Sequence, residues 1–386
     1  MAKKDMELNN TADDIELEDI DGFDPFDVLD DSYEDNKVYG NSKTSDNRNE
    51  RKNTKKKRKN PVLVWAGRVG ATLLSTILIL VIFLYAVMAM LVYGPSKTAK
   101  IQFVLSVQET SAIGFLANWF CSQDEIDQIK ANNAIKDTDE ITDAGLVNID
   151  TSAQDPETPD IEIVDVKGAT YSGKLMIVKD PSRLFVGTVP EFTNGNGMVV
   201  ADIAKRYDAI GGVNGGEFVD GDTTYTAMPI GLVMKDGEVL NDNGGTSHVT
   251  GITYDNKLVL GNMNAAKAKE LNIRDCVSIS NHIGPFLIVN GEAQDIVGIA
   301  GGTNPRTAIG QTADGKILLL AIDGRQPNSI GATFSDLQDI MAQYGAVNAS
   351  TMDGGTSTQM YYDGEVINVP YSPTGPRSCP TAFLIK

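Results

Sequence analysis

A chain of 386 residues, 41% of them hydrophobic, is long enough for one sizeable core plus appendages and need not lean on disulfides or metal to fold. A formal net charge of −19 argues against a general nucleic-acid binder, which needs clustered Lys and Arg to neutralise phosphates. Cys121, Cys276 and Cys379, odd in number and widely spaced, form neither a complete disulfide framework nor a CxxC or zinc pattern.

The charge falls into three regimes along the chain. Residues 1–50 hold 16 Asp or Glu against 5 Lys or Arg, residues 51–68 hold eight basic residues and no acidic one, and 36 acidic and 20 basic residues follow from Lys97 onward. With few apolar residues to bury, residues 1–61 read as a disordered tail, acidic then basic. Ile20, Phe23, Phe26, Val28 and Leu29 form an apolar island in it, either a short docking motif or plain solvated tail. Between Arg68 and Lys97 lie 28 residues without a charge, enough to cross a hydrocarbon core of about 30 Å as a helix. Some sixty polar residues precede this run, which argues against a cleaved signal peptide, and Leu73 to Leu91 has only Ser75 and Thr76 to offer as a polar face. Residues 62–96 are therefore expected to be a single transmembrane helix. RKNTKKKRK before it places the amino terminus in the cytoplasm and the carboxy-terminal domain outside.

Residues 97–135 read as a juxtamembrane helical segment, with Ile101, Phe103, Val104, Val107, Ile113, Leu116 and Phe120 spaced mostly at three and four. Whether it extends the membrane helix, lies on the interface or packs in a dimer is left open by spacing alone. Residues 136–160, with DTDEITD and DTSAQDPETPD, read as an acidic linker. From Ile161 to Lys386 the pattern turns to short β-type runs: IEIVDV, KLMIVKD, LFVGTV, IGLVMKDGEVL, GITYDNKLVLG, PFLIVNGEA, KILLLAID and TAFLIK. Asp236-Gly237, Asn290-Gly291, Asp314-Gly315 and Asp363-Gly364 mark tight turns. Helices are expected at Met198 to Tyr207, Ala265 to Leu271 and Phe334 to Tyr344, the last with Thr333 as N-cap and Asp336 in its first turn. The fold class is α+β: a sheet-rich globular domain with a few helices, lacking the βαβ alternation of a doubly wound fold.

Neither GxxxxGKS/T, GxGxxG nor GxSxG occurs. His248 and His282 lie in no recognisable triad setting and read as structural. Asn241 to Gly245 and Asp220 to Asp222 look like calcium loops but lack a Glu at the twelfth position, so they read as turns.

The chemistry is concentrated in four glycine-rich segments flanked by strands: GGVNGGEF (Gly211 to Phe218), NPRTAIG (Asn304 to Gly310), AIDGRQ (Ala321 to Gln326) and STMDGGTSTQM (Ser350 to Met360). Only six arginines follow the apolar run, and Arg306, Arg325 and Arg377 lie in or beside these segments. A guanidinium fork suits phosphate or carboxylate, and glycine lets backbone N–H groups approach an anion. Asp323 and Asp353, each before glycine after an apolar strand, are candidate hydrolytic carboxylates. Taken singly, each segment is equally well a DG turn with an arginine paired to it.

Together and in this order, the segments resemble the phosphodiester glycosidase family over roughly Ile161 to Lys386. The likeness begins with KLMIVKDPSRLFVG and ADIAKRYDAIGGVNGGEFVD. Its specific core is NPRTAIG, DGRQ, GATFSDLQDIMAQYGAVNASTMDGGTSTQM, Asn368 and GPR at Gly375 to Arg377. Thr356 stands where the family often has a third glycine, and Glu217 where it usually has an aromatic or small residue; Glu217 changes substrate preference or adds a carboxylate.

The resemblance implies a bacterial membrane-anchored enzyme that hydrolyses a sugar 1-phosphodiester in cell-envelope or exopolysaccharide metabolism. Asp353 is the implied principal catalytic carboxylate and Asp323 its partner or positioning group. Arg306, Arg325 and Arg377 are expected on the phosphate, and Asn214, Gly354, Gly355, Thr356 and Ser357 on sugar hydroxyls or phosphate oxygens. No cofactor is required by this reading, and a divalent cation such as calcium is compatible with it without residues that call for one. The expected partners are a sugar-phosphodiester glycan or glycoconjugate and the membrane, with no nucleic acid and no oligomeric state indicated. The alternative is a membrane-tethered module that binds or assembles a polysaccharide without turnover.

Overall fold

The computed structural model describes residues 61–108, 113–133, 136, 138, 140–149, 159–219, 225–280, 283–372 and 375–386, Leu63 in its backbone only. The tail with its apolar island, the basic run up to Asn60, Asp220 to Asp222 and His282 lie outside the described residues. Contacts divide the chain into Met1–Val69, described only over its last nine residues, and Gly70–Lys386.

Helix α1 runs Pro61–Tyr93. Its segment Val64–Tyr93, 30 residues at a mean hydropathy of 2.7, is long and apolar enough to cross a membrane. Within it the Ser75 and Thr76 hydroxyls both donate to the Thr72 carbonyl at 2.9 Å. The juxtamembrane stretch, expected as one helical segment, is broken into α2 (Lys97–Gln108), α3 (Phe115–Asn118) and α4 (Gln123–Asn132). Ser122 caps α4 by accepting from the Glu125 N–H. These helices pack on the last turns of α1 through Val92, Val104, Val107, Ala117, Phe120 and Ile126. Phe120 sits 5.1 Å from the Tyr85 ring and accepts the Tyr93 hydroxyl at its carbonyl.

Residues 140–149, expected to be part of a linker, are held along the folded domain. Thr142 pairs with Leu260 through backbone and side chain, Ile141 packs on a core cluster, and the Asn148 N–H donates to the Ala313 carbonyl. Its anchors, Ile141, Thr142 and Val147, are too sparse to give a periodic signal.

Three antiparallel sheets build the remainder. The first orders β1 (Ile161–Lys167), β2 (Ser172–Val178), β13 (Ile317–Ile322), β12 (Arg306–Thr312), β14 (Ala346–Met352), β10 (Phe286–Val289) and β11 (Glu292–Ala293). The second orders β16 (Glu365–Val366), β15 (Met360–Tyr362), β4 (Gly211–Asn214), β17 (Thr381–Ile385) and β3 (Leu184–Thr188). The third orders β6 (Glu238–Asn241), β5 (Val233–Lys235), β9 (Ile273–Ser278), β7 (Ser247–Thr253) and β8 (Leu258–Met263).

All three sheets contribute to one central core, including Met176, Val213, Ile252, Ile309, Leu319, Met352 and Phe383. A helix covers the other face of each: α7 (Phe334–Gln343) on the first, α5 (Val200–Arg206) on the second and α6 (Ala265–Glu270) on the third. Strand β13 shows why its sequence is uniformly apolar. Ile317, Leu319 and Ala321 face the central core, whereas Leu318, Leu320 and Ile322 face α7. Thr333 closes a full capping box with Asp336. Asp236-Gly237, Asn290-Gly291 and Asp363-Gly364 place both residues at positive φ, as a two-residue hairpin turn requires. At Asp314-Gly315 only the glycine does so.

Candidate active site

The four glycine-rich segments meet because antiparallel register brings their strand ends to one place. Arg306 at the start of β12 pairs with Ile322 at the end of β13, and Thr307 pairs with Met352 at the end of β14. Asp323 and Asp353 thus leave the ends of β13 and β14, the two strands that flank β12. In the second sheet Asn214, at the end of β4, pairs with Ala382 in β17. The two sheets join where the Asp353 N–H donates to the Gly215 carbonyl at 3.2 Å.

Asn214 is the staple of that junction. Its Nδ2 donates to the Asp353 carbonyl at 2.7 Å, while its Oδ1 accepts the Thr307 hydroxyl at 2.7 Å and the Gln359 N–H at 3.2 Å. Fully buried, it acts on backbone and neighbouring side chains, which corrects the expectation that it contacts a sugar hydroxyl. Asn214→Ala is expected to lower stability by about 2–4 kcal/mol, because three buried partners lose their hydrogen bond together; denaturant unfolding of the full chain measures it.

Asp353 is half-buried at the surface but densely surrounded, and burial is the main cause that pushes its carboxyl up to about 6. The Ser357 hydroxyl, the Arg377 guanidinium and the Gly354 N–H favour the carboxylate, whereas the Glu217 carboxylate opposes it. Ser357, itself buried, therefore touches Asp353. Cys379 lies within the same field, its thiol pushed up to about 12 by burial first and by Asp353 second.

Gly354 and Gly355 have a different role from the anion cradle expected of them. The Gly354 N–H donates to Asp353 Oδ1 at 3.0 Å and the Gly355 N–H to the Pro305 carbonyl at 2.9 Å. Gly355 takes φ +62, a region that excludes most side chains, and a Cβ there would stand 3.5 Å from Arg325 Nη2.

The three arginines divide. Arg306 is 4% exposed, stacks on Phe334 at 3.9 Å, and donates to the carbonyls of Gly301, Gly302 and Ala332. It holds the 301–302 turn, which corrects its assignment to a phosphate. Arg325 and Arg377 are both half-buried and both approach the Gly355–Thr356 turn. Arg325 Nη2 donates to Asn304 Oδ1 at 3.1 Å and lies against Gly355, while Arg377 Nη1 reaches the Thr356 hydroxyl at 3.4 Å. The Arg377 guanidinium also lies 5.2 Å from the Phe218 ring.

Asp323 accepts from Asn368 Nδ2 at 3.0 Å and from the Val369 N–H at 2.8 Å, and burial raises its pKa. It anchors the 368–369 loop, and its charged neighbour is Lys174 rather than Asp353. The carboxylate that acts on Asp353 is Glu217, the residue in the GGVNGGEF run whose departure from the family pattern was expected to change substrate preference or add a carboxylate. Among the described residues no group of three or more His, Cys, Asp and Glu is arranged to hold a metal. The Asn241–Gly245 run is a turn in which Asn241 Nδ2 donates to the Gly231 carbonyl and the Gly244 N–H donates to Asp242.

The juxtamembrane helices reach this neighbourhood through one loop. From α2, Gln102 Nε2 donates to the Thr303 hydroxyl and Ser106 Oγ accepts from the Thr303 N–H at 3.1 Å. Beyond α4, Asn133 Oδ1 accepts from the Ile299 N–H. That loop carries the carbonyls on which Arg306 rests.

Residues 207–386 match the family model described as phosphodiester glycosidase. Among curated proteins the chain is similar to an SPbeta prophage-derived uncharacterized protein, YomE, of Bacillus subtilis strain 168, at 40% identity over 65 residues, covering 17% of this chain and 10% of that protein. It is also similar to the mouse N-acetylglucosamine-1-phosphodiester alpha-N-acetylglucosaminidase, at 25% identity over 225 residues, covering 53% of this chain and 42% of that protein. The chain thus spans less than half the length of either relative. Among solved structures it is similar to the zebrafish N-acetylglucosamine-1-phosphodiester alpha-N-acetylglucosaminidase catalytic domain auto-inhibited by its pro-peptide, with 23% identity and a TM-score of 0.49 over 60% of this chain and 85% of that one.

Proposed function

Because residues 207–386 belong to the phosphodiester glycosidase family, we propose that this chain is a membrane-anchored hydrolase that cleaves a sugar 1-phosphodiester in an envelope glycan or glycoconjugate. The observation that carries the proposal is Asp353: a carboxyl that burial pushes up to about 6, set at a two-sheet junction where the half-buried Arg377 guanidinium favours its ionised form. A general base works best when its pKa lies close to the working pH. Asp353 takes a proton from water, the water oxygen bonds to the anomeric carbon, and the sugar–oxygen bond breaks with its electron pair leaving on the phosphate. Arg377 and Arg325 hold the phosphodiester and its developing charge, and Thr356, whose hydroxyl Arg377 reaches, binds a sugar or phosphate oxygen. Phosphate leaves readily, so a strong general acid is less needed than in ordinary glycosidases. Asp323 serves as a positioning group through the 368–369 loop. Anchoring is supported by the apolar helix Val64–Tyr93 and by the basic run before it, which sets the carboxy-terminal domain outside the membrane.

The test is incubation of the detergent-solubilised full chain with a panel of sugar 1-phosphodiesters, N-acetylglucosamine 1-phosphodiesters among them, in oxygen-18 water. The expected products are a phosphomonoester and a free sugar labelled at its anomeric hydroxyl. Label in the phosphate would make the chain a phosphodiesterase of the P–O bond, and saturable binding without turnover would make it a tethered binding module.

A further inference from the structure

A spacing of four along α2 puts Gln102 and Ser106 on one helix face, and both reach the loop that leads into β12. Gln102 Nε2 donates to the Thr303 hydroxyl, and Ser106 Oγ accepts the Thr303 N–H at 3.1 Å. One residue earlier, Gly302 takes φ +58, and a Cβ there would stand 2.6 Å from Ser106 Oγ and 2.8 Å from the Ser106 backbone nitrogen. Only glycine lets the loop lie this close to the helix. Gly298, Gly301 and Gly302 all take positive φ, so the loop is a succession of turns, and α2 supplies hydrogen bonds that a neighbouring strand would supply in a sheet. Asn133, beyond α4, adds another by accepting the Ile299 N–H at 3.3 Å.

The next two residues of the loop enter the site. Asn304, 3% exposed, accepts Arg325 Nη2 on its Oδ1 at 3.1 Å and donates from Nδ2 to the Gly301 carbonyl at 3.0 Å. The Pro305 carbonyl accepts the Gly355 N–H at 2.9 Å. Arg325 itself takes φ +57, uncommon for a residue with a side chain, and its N–H donates to the Ile330 carbonyl at 2.9 Å. We propose that α2 is a working part of this site, with Gln102 and Ser106 as positioning residues that hold Thr303, and through it Asn304, so that Arg325 meets the phosphodiester. This deepens the hydrolase reading and rests on it for its kinetic consequence. The path is short: α2 to Thr303 by hydrogen bonds, Thr303 to Asn304 by the chain, and Asn304 to Arg325 by a hydrogen bond. A guanidinium displaced by about 1 Å loses much of a bidentate contact, so a helix that touches no substrate still sets affinity. Both positioning residues lie outside residues 207–386, which carry the family match, so the anchor side of the chain contributes to the geometry of the site.

The experiment compares the detergent-solubilised full chain with its Gln102→Ala, Gln102→Glu and Gln102→Ala/Ser106→Ala variants, each alone and combined with Arg325→Ala, with matched melts. Without any substrate, amide hydrogen exchange is followed in residues 299–304 and in the turn 325–330, where the Arg325 and Gln326 N–H groups donate to the Ile330 and Ser329 carbonyls. The double alanine variant is expected to exchange at least about fivefold faster in both segments, with the strands of the first sheet unchanged. Faster exchange in 299–304 alone, or no change in either segment, would overturn the proposal. With substrate, the double alanine variant is expected to raise KM about 5–20-fold while kcat stays within about twofold. In the Arg325→Ala background the same two substitutions are expected to raise KM less than about twofold. Gln102→Glu, whose carboxylate accepts the Thr303 hydroxyl instead of donating to it, is expected to keep the wild-type KM where Gln102→Ala does not. An unchanged KM, or an equal rise with and without Arg325, would count against α2 acting through that guanidinium and overturn the proposal. A chain that turns over no phosphodiester would still decide it through hydrogen exchange, which separates this failure from failure of the hydrolase reading.

Discussion

Asp353→Asn is expected to stabilise the folded chain at pH 7.5 and to leave its stability nearly unchanged at pH 4. The carboxyl sits at about 6 in the folded state against an ordinary value of 3.8, so between those pH values the folded chain holds a proton that the unfolded chain has released. Stability contributed by the protonated form is present below about 3.8, is lost as pH rises through about 6, and stays lost above it. The shift corresponds to about 3 kcal/mol at most, and the partly exposed edge of Asp353 reduces this to about 1–3 kcal/mol. For a folded unit of this size the gain corresponds to about 3–8 °C at pH 7.5. Calorimetric or fluorescence melts at the two pH values measure it, and a gain of the same size at both would show that burial of the charge is not its cause. A residue whose removal stabilises the protein while abolishing its chemistry is held for function against folding.

Arg377→Ala is expected to act on both substrate binding and proton affinity. Losing a charge-assisted contact to the phosphodiester costs about 2–3 kcal/mol, about a hundredfold in kcat/KM, and raises KM. The same loss removes a cation that favours the ionised form of Asp353, so the acidic limb of kcat/KM should move to higher pH. Arg377→Lys retains the charge but not the fork, and is expected to keep the limb near its wild-type position while recovering only part of the affinity. Saturation kinetics from pH 5 to 8 separate the two effects, and a KM change with an unmoved limb would remove Arg377 from the electrostatics of Asp353.

The sheet-rich α+β class was legible because most strands announce themselves as short apolar runs between turn residues. The layered arrangement was not, since β13 and β12 bury both faces and KILLLAID shows no alternation to reveal which side faces which cluster. The juxtamembrane stretch had helical spacing throughout, but the Ser122 cap and the packing of Phe120 under Tyr93 interrupt it, and neither outweighs periodicity when the chain is read residue by residue. Asp353, Thr356 and Ser357 share one glycine-rich segment, so their proximity was legible; Arg377 lies outside the four segments and reaches Thr356 through the fold. What each one touches depends on register. Asn214 and Arg306 looked like free polar side chains in glycine-rich loops and are instead the groups that tie sheet ends and turns together. Asp323 and Asp353 stand in similar contexts, strand then aspartate then glycine. The difference between them lies in distant partners, Asn368 and Val369 for one, Ser357 and Glu217 for the other.

The most direct measurement is the rate of hydrolysis of a sugar 1-phosphodiester panel by the full chain and by its Asp353→Asn variant, with matched melts to show that both are folded. The expected result is turnover by the wild type that falls at least about a thousandfold in the variant while ligand binding persists. Turnover that survives in Asp353→Asn, or binding with no turnover by the wild type, would contradict Asp353 as the base of a phosphodiester glycosidase.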